Sequence, residues 1–213
     1  MGIFDEMEGV PPKQMVFFFL VDTSGSMDGE KIDTVNAAVS GVLPELKEAG
    51  KMYIDLKIAC LGFSSGCKWM YPAPVEVEKF IWSELSANGE THLGSTFVEL
   101  SDKMQTGKYL SEPSASLAPV IFLLTDGEPT DDYKTGFAAL QRNDWYKCAI
   151  KAAIAIGDDV NIDVLNEFTG NPESVTKVFT PQALRKMIRF VALSSTEASR
   201  ENLLVPKGSC HAE

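Results

Sequence analysis

The sequence predicts an α/β fold, a doubly wound and mostly parallel sheet flanked by helices, and three observations carry that expectation. The runs 16–21 and 120–125 are apolar without alternation, as strands are when both sheet faces are covered. Between and after such runs lie segments with helical periodicity, as in Ile32, Val35, Val39, Val42, Leu43 and Leu46. Both apolar runs lead straight into a carboxylate, Asp22 and Asp126, at the strand ends where open α/β sheets bind ligands.

Element by element, residues 15–21 form the first buried strand. A helix opens at Asp28 or Gly29 and runs to about Lys47, with Pro44 kinking or shortening its last turn. Residues 52–63 follow as a strand, with Ile54, Leu56 and Ile58 in alternation. Two weaker strands, 67–70 and 76–83, are separated by a turn containing Pro72 and Pro74. Leu93, Phe97, Leu100 and Met104 mark one face of a helix over 93–105, and 111–116 is a loop. The central strand 119–125 precedes a helix over 133–140 and a further buried strand over 149–156 that Gly157 closes. A short helix over 163–168 is stopped by Gly170, and a last strand spans 175–180. Pro181 starts the final helix, which is expected to end near Leu193, leaving a polar, loose tail. The organisation is thus an N-terminal tail over 1–13, one domain over 14–193 and a C-terminal tail over 194–213.

The 213 residues, 45% of them apolar, suffice for one domain with a full core. A formal net charge of −11 argues against non-specific binding to nucleic acid or anionic lipid. Residues 1–14 hold Asp5, Glu6 and Glu8 and lack a basic leader region, and the run 17–21 is too short for a signal core. Glu6 breaks the myristoylation pattern after Met1-Gly2. Cys60, Cys67, Cys148 and Cys210 form no CxxC pair; Cys60 and Cys148 lie in apolar runs and read as core. A reducing, cytoplasmic location is the expectation.

The chemistry concentrates in Asp22-Thr23-Ser24-Gly25-Ser26. In an extended loop this spacing turns Asp22, Ser24 and Ser26 toward one point, and Gly25 lets the loop curl. Asp126 arrives at the end of a parallel strand, and Gly127 permits a sharp exit. The turn 88–94 offers a third segment, from which Thr91 supplies another neutral oxygen; Thr96 lies a turn into the helix and faces away. Asp22, Ser24, Ser26, Thr91, Asp126 and waters then suit a roughly six-coordinate Mg²⁺, or Mn²⁺, with an open position. Against this stands the simpler reading that Asp-x-Ser-x-Ser is a helix cap or turn, which the ordered three-segment arrangement outweighs. As a ligand at the surface, Asp22 should be replaceable by Ala without loss of the fold. Asp131 and Asp132 read as a solvated lip capping the next helix rather than as a second cation site. Asp158 and Asp159 stand at another strand end and read as a turn or as partners of the site loops. His92 reads as a surface residue, and Trp69, Trp82 and Trp145 are too scattered to form a base-stacking platform.

Residues 19–27 (Phe-Leu-Val-Asp-Thr-Ser-Gly-Ser-Met), then Gly89-Glu90-Thr91, then Leu124-Thr125-Asp126-Gly127, resemble the von Willebrand factor A (VWA) domain. That family carries a metal-ion-dependent adhesion site written DxSxS, T, D, and the likeness spans about residues 14–193. Met27-Asp28-Gly29-Glu30-Lys31-Ile32, residues 124–132, residues 155–159 and Val164-Leu165 through Asn171 are more narrowly similar to bacterial proteins of the TerY type, linked with tellurium-resistance clusters. The resemblance implies a Rossmann-like VWA fold with Mg²⁺ at the top of the sheet, in which Ser24 and Ser26 bind directly and part of the remaining set acts through water. It also implies a cytoplasmic, stress-response setting with a Ser/Thr kinase-like protein and a PP2C-type phosphatase. The family's usual Gly-Gly-Thr is Gly89-Glu90-Thr91 here, which adds a carboxylate near the mouth.

These readings favour a protein-interaction module, not an enzyme, in which a partner's Asp or Glu completes the metal shell. An adaptor for an AAA+ ATPase is the alternative within the same class. A metal-assisted phosphohydrolase is less favoured, because the sequence offers no Asp-x-Asp pair, His cluster or P-loop. An extracellular adhesin would need export.

Overall fold

A computed structural model of the protein describes residues 11–50, 54–157 and 160–204. The expectations placed on residues 1–10, on Asp158 and Asp159, on Cys210 and on the end of the tail lie outside the described residues.

β1 (Lys13–Asp22) is the sheet's central strand, pairing in parallel with β2 (Ile54–Phe63) on one side and β5 (Val120–Thr125) on the other. β6 (Ile150–Ile156) and β7 (Val175–Val178) extend the parallel set beyond β5. The short β3 (Cys67–Trp69) and β4 (Val75–Glu76) both pair antiparallel with β2, so six strands run in the order β3-β2-β1-β5-β6-β7 and β4, also on β2, is the seventh. The mostly parallel, doubly wound architecture is the one expected.

Alternate residues of β1 enter different cores, which is why its run is apolar throughout. Met15, Phe17, Phe19 and Val21 join the core covered by α1 (Glu30–Gly50) and α6 (Pro181–Leu204). Val16, Phe18 and Leu20 join the opposite core, beneath α2 (Leu93–Lys103), α3 (Tyr133–Gln141) and α5 (Ile162–Thr169). Phe19 stacks on Phe122 with centroids 4.9 Å apart, which ties the two central strands together.

Several expected elements change in extent. Pro44 does not shorten α1, which continues to Gly50. Pro44 and Ser40 both lie on the exposed face, so the Ser40 carbonyl that loses its partner faces water. The strand expected over 76–83 shrinks to β4, because the amides of Lys79 and Phe80 turn back to the Glu76 carbonyl and Phe80 is buried. A helix not anticipated, α4 (Asp144–Cys148), is started by Asn143, whose side chain accepts from the Tyr146 amide. It leaves Cys148 exposed, contrary to the core role read from its apolar neighbours, whereas Cys60 is buried.

α6 runs to Leu204 rather than stopping near Leu193. Its buried Ser195 and Thr196 hydroxyls donate to the carbonyls of Val191 and Leu193, so these polar residues satisfy themselves inside the helix. Arg185 and Arg189 both reach Glu45 of α1, the second at 2.7 Å. On the other face α2 and α3 meet backbone to backbone. A Cβ on Gly136 would lie 2.0 Å from the Gly94 carbonyl oxygen, a separation only glycine permits. That contact fixes the start of α2, and hence Thr91, against the loop that leaves β5.

Candidate metal centre

β1 and β5 are in register from Phe17–Val120 to Val21–Leu124, so Asp22 lies beside Thr125 at the carboxyl edge of the sheet. Asp22 is buried, and both its oxygens are occupied. Oδ1 accepts the Ser24 amide at 2.8 Å and Oδ2 accepts the Thr125 hydroxyl at 2.5 Å. Burial pushes its carboxyl above the ordinary carboxylate range, the hydrogen bonds from Thr125 and Ser24 pull it back, and nearby Asp126 adds to the rise. Asp22 is therefore part of the interior, not the replaceable surface ligand expected from its loop. Removing it would strand two donors.

The loop after Asp22 is tighter than the extended course expected. Ser24 is extended, but Gly25–Met27 forms a 3₁₀ turn, closed by the Met27 amide on the Ser24 carbonyl at 3.0 Å. This turn brings the Ser24 and Ser26 hydroxyl oxygens to 3.1 Å of each other. Ser26 in turn donates to Asp126 Oδ1 at 2.8 Å. The Gly25 amide donates to the Gly89 carbonyl at 2.8 Å. The Asn88 amide bonds the Thr23 carbonyl at 2.7 Å, so the loop bearing Thr91 is stitched to the loop bearing the serines.

Thr91 is buried and its hydroxyl faces the same point. A Cβ built on Gly127 would lie 3.6 Å from Ser26 Oγ and 3.8 Å from Thr91 Oγ1. Two further bonds hold the Thr91 backbone, its amide to Thr130 Oγ1 at 3.1 Å and its carbonyl from the Thr130 amide at 2.8 Å. Thr96 is buried elsewhere, donating to the His92 carbonyl at 2.8 Å. Glu90 turns outward and meets His92 Nε2 at 3.0 Å, so the departure from Gly-Gly-Thr leaves Thr91 in place.

The remaining candidates are structural in their contacts. Asp131 accepts the amides of Gly94 and Ser95, both at 2.9 Å, and so caps α2 from across the loop. Asp132 caps α3 through the Thr135 amide and hydroxyl, which hold its carboxyl below the ordinary range. Trp69, Trp82 and Trp145 donate to Glu99, Asn36 and Thr106 respectively, at separate places.

Sequence reasoning missed three contributors. Thr125, read only as part of a strand end, is the hydroxyl that satisfies Asp22. Thr130 orients Thr91. Lys31 places its ammonium on Asp126 Oδ2. None is signalled by spacing, because each depends on which loops the sheet order brings together.

The donor set fits a small divalent cation: two carboxylates and three hydroxyls, all hard oxygens, with the Lys31 ammonium on Asp126. Such a fold and site define an α/β domain with an oxygen-rich centre at the sheet's carboxyl edge. The family profile of the von Willebrand factor type A domain matches residues 17–192, and the chain belongs to that family. Members commonly bind a divalent metal at this place and commonly serve as protein-interaction modules.

Mouse inter-alpha-trypsin inhibitor heavy chain 4 is 29% identical over 133 residues, which cover 58% of this chain and 13% of that much longer protein. Among solved structures, a von Willebrand factor type A protein from Catenulispora acidiphila aligns with a TM-score of 0.63 at 20% identity. The alignment covers 86% of this chain and 43% of that one. Proximal thread matrix protein 1 from the mussel byssus, in a form with a zinc-occupied adhesion motif, aligns with a TM-score of 0.66 at 16% identity. It covers 86% of this chain and 48% of the mussel chain. Among the described residues, no helix is long and apolar enough to cross a membrane.

Proposed function

We propose that this domain captures a partner protein through a divalent metal, Mg²⁺ or Mn²⁺, held by Asp22, Ser24, Ser26, Thr91 and Asp126. The observation that carries the reading is the convergence of the Ser24, Ser26 and Thr91 hydroxyls with Asp126 at one sheet edge. When bound, the metal supplies an electron-poor centre with a position open to a partner's Asp or Glu carboxylate.

The chain's own residues do the rest. Thr125 and the Ser24 amide hold Asp22 in one orientation, so it needs no rearrangement to serve as an acceptor. The 3₁₀ turn sets the two serine hydroxyls side by side, and Thr130 fixes the Thr91 backbone. Three of the five side chains are neutral hydroxyls that add no negative charge beyond that of Asp22 and Asp126, so an acidic side chain can approach the metal without meeting an excess of negative charge. We assign the protein a binding rather than an enzymatic role, in the cytoplasm. Its similarity to the TerY type points to a stress-response setting with a Ser/Thr kinase-like protein and a PP2C-type phosphatase as partners.

The test is affinity capture from host lysate on the immobilised domain, with Mg²⁺ or with EDTA, alongside the Ser24→Ala/Ser26→Ala variant. A protein retained by the native domain only with metal, and lost in the variant, is the expected result. Equal retention with and without metal would remove the metal from the interaction.

A further inference from the structure

Lys31 occupies the first turn of α1, where the helix end already carries partial positive charge and a cation is disfavoured. Its side chain nevertheless reaches into the site and places its ammonium on Asp126 Oδ2. The path is built for it. Gly157, with φ at 93°, ends β6 beneath the lysine stem; a Cβ there would lie 3.3 Å from Lys31 Cε and 3.9 Å from Nζ. The two carboxylates of the site are not equivalent. Both oxygens of Asp22 are met by neutral donors, whereas Asp126 has Ser26 on one oxygen and Lys31 on the other. The Asp126 side chain is wholly buried, while that of Lys31 is 36% exposed, so only the lysine has an exit to water.

We propose that Lys31 is the site's resident cation: its ammonium neutralises Asp126 until a divalent ion takes that carboxylate, and loading the site displaces Lys31 outward. The inference rests on the metal-centre reading. Its consequence is a threshold. The lysine spares the metal-free fold an uncompensated buried carboxylate, and it weakens the binding of every divalent ion that must replace it. Ion affinity is therefore set by a residue outside the set of oxygen ligands.

The test uses the full chain with Lys31→Met, which keeps the stem and drops the charge, and Lys31→Arg, which keeps the charge. Mg²⁺ and Mn²⁺ dissociation constants are measured by calorimetry, and melting temperatures in EDTA and at saturating metal. Lys31→Met is expected to bind metal about tenfold more tightly, as removal of a competing charge at contact distance requires. It should also melt lower than wild type in EDTA, with the gap closed by saturating metal, while Lys31→Arg stays near wild type. If Lys31→Met cannot fold in EDTA, refolding on addition of Mg²⁺ supports the inference and failure to refold overturns it. Unchanged or weaker metal binding in Lys31→Met, with wild type binding normally, overturns this inference alone. No binding in either protein overturns the metal centre first and the inference with it.

Discussion

Thr125→Val probes the buried side of the site without touching an expected metal ligand. The substitution keeps side-chain shape and removes the hydroxyl that donates to Asp22 Oδ2 at 2.5 Å and whose own Oγ1 accepts the Gly127 amide at 3.3 Å. A hydrogen bond to a buried charge contributes about 1.5–3 kcal/mol. In a chain of this size each kcal/mol moves the melting temperature by about 2–4 °C, so in EDTA the variant should melt about 3–12 °C below wild type. The pH dependence has a defined sign. Burial raises the Asp22 carboxyl above its unfolded value, so the native state holds that proton more readily than the unfolded chain. Its contribution to stability therefore falls as pH rises from the ordinary carboxylate value through the raised one. The lost bond served the charged form, so the Thr125→Val deficit is full above the raised value and shrinks as pH falls through it. Differential scanning calorimetry at a series of pH values reads both effects. Melting within 1 °C of wild type, or a deficit that persists unchanged on acidification, would refute the role given to Thr125.

Three other outcomes follow from the same contacts. Gly136→Ala would force a Cβ to 2.0 Å from the Gly94 carbonyl, so α2 and α3 must part; the expected loss is about 1–3 kcal/mol, seen as a lower urea midpoint, and an unmoved midpoint would contradict the backbone contact. Asp131→Ala removes the acceptor of the Gly94 and Ser95 amides and should cost about 0.5–2 kcal/mol by the same measurement; a neutral result would mean that water caps α2 as well. Ser24→Ala/Ser26→Ala should keep the fold, judged by near-ultraviolet circular dichroism, yet lose at least the ~10–100-fold in metal affinity that changes behind a ligand shell already produce. Undiminished calorimetric binding in that variant would place the metal elsewhere.

Much of the architecture was legible because burial on both sheet faces leaves its mark in composition. β1 is apolar from Met15 to Val21 and β5 from Val120 to Leu124 since alternate residues feed two cores, and a one-sided strand could not tolerate that. The site's ligand candidates were legible too, as Asp22 ends β1, Asp126 follows β5 and Thr91 lies in the turn just before a helix. Less visible was anything set by packing between distant segments. Thr125 meets Asp22 through the β1–β5 register, and Lys31 meets Asp126 by reaching from the start of α1 past Gly157. α6 outran its expected end because Ser195 and Thr196 bond within their own helix, so polarity there did not signal a loose tail. Cys148 misled in the opposite way: its apolar neighbours belong to the start of β6, while the cysteine itself ends an exposed short helix.

The proposed function places a divalent ion among the Ser24, Ser26 and Thr91 hydroxyls and the Asp126 carboxylate. Crystals grown with Mn²⁺ and measured at the manganese absorption edge test it most directly. An anomalous difference peak is expected in contact with both serine hydroxyls, with the Lys31 ammonium turned away from Asp126. A peak confined to Asp131 and Asp132, or none at the sheet edge under saturating Mn²⁺, would contradict it.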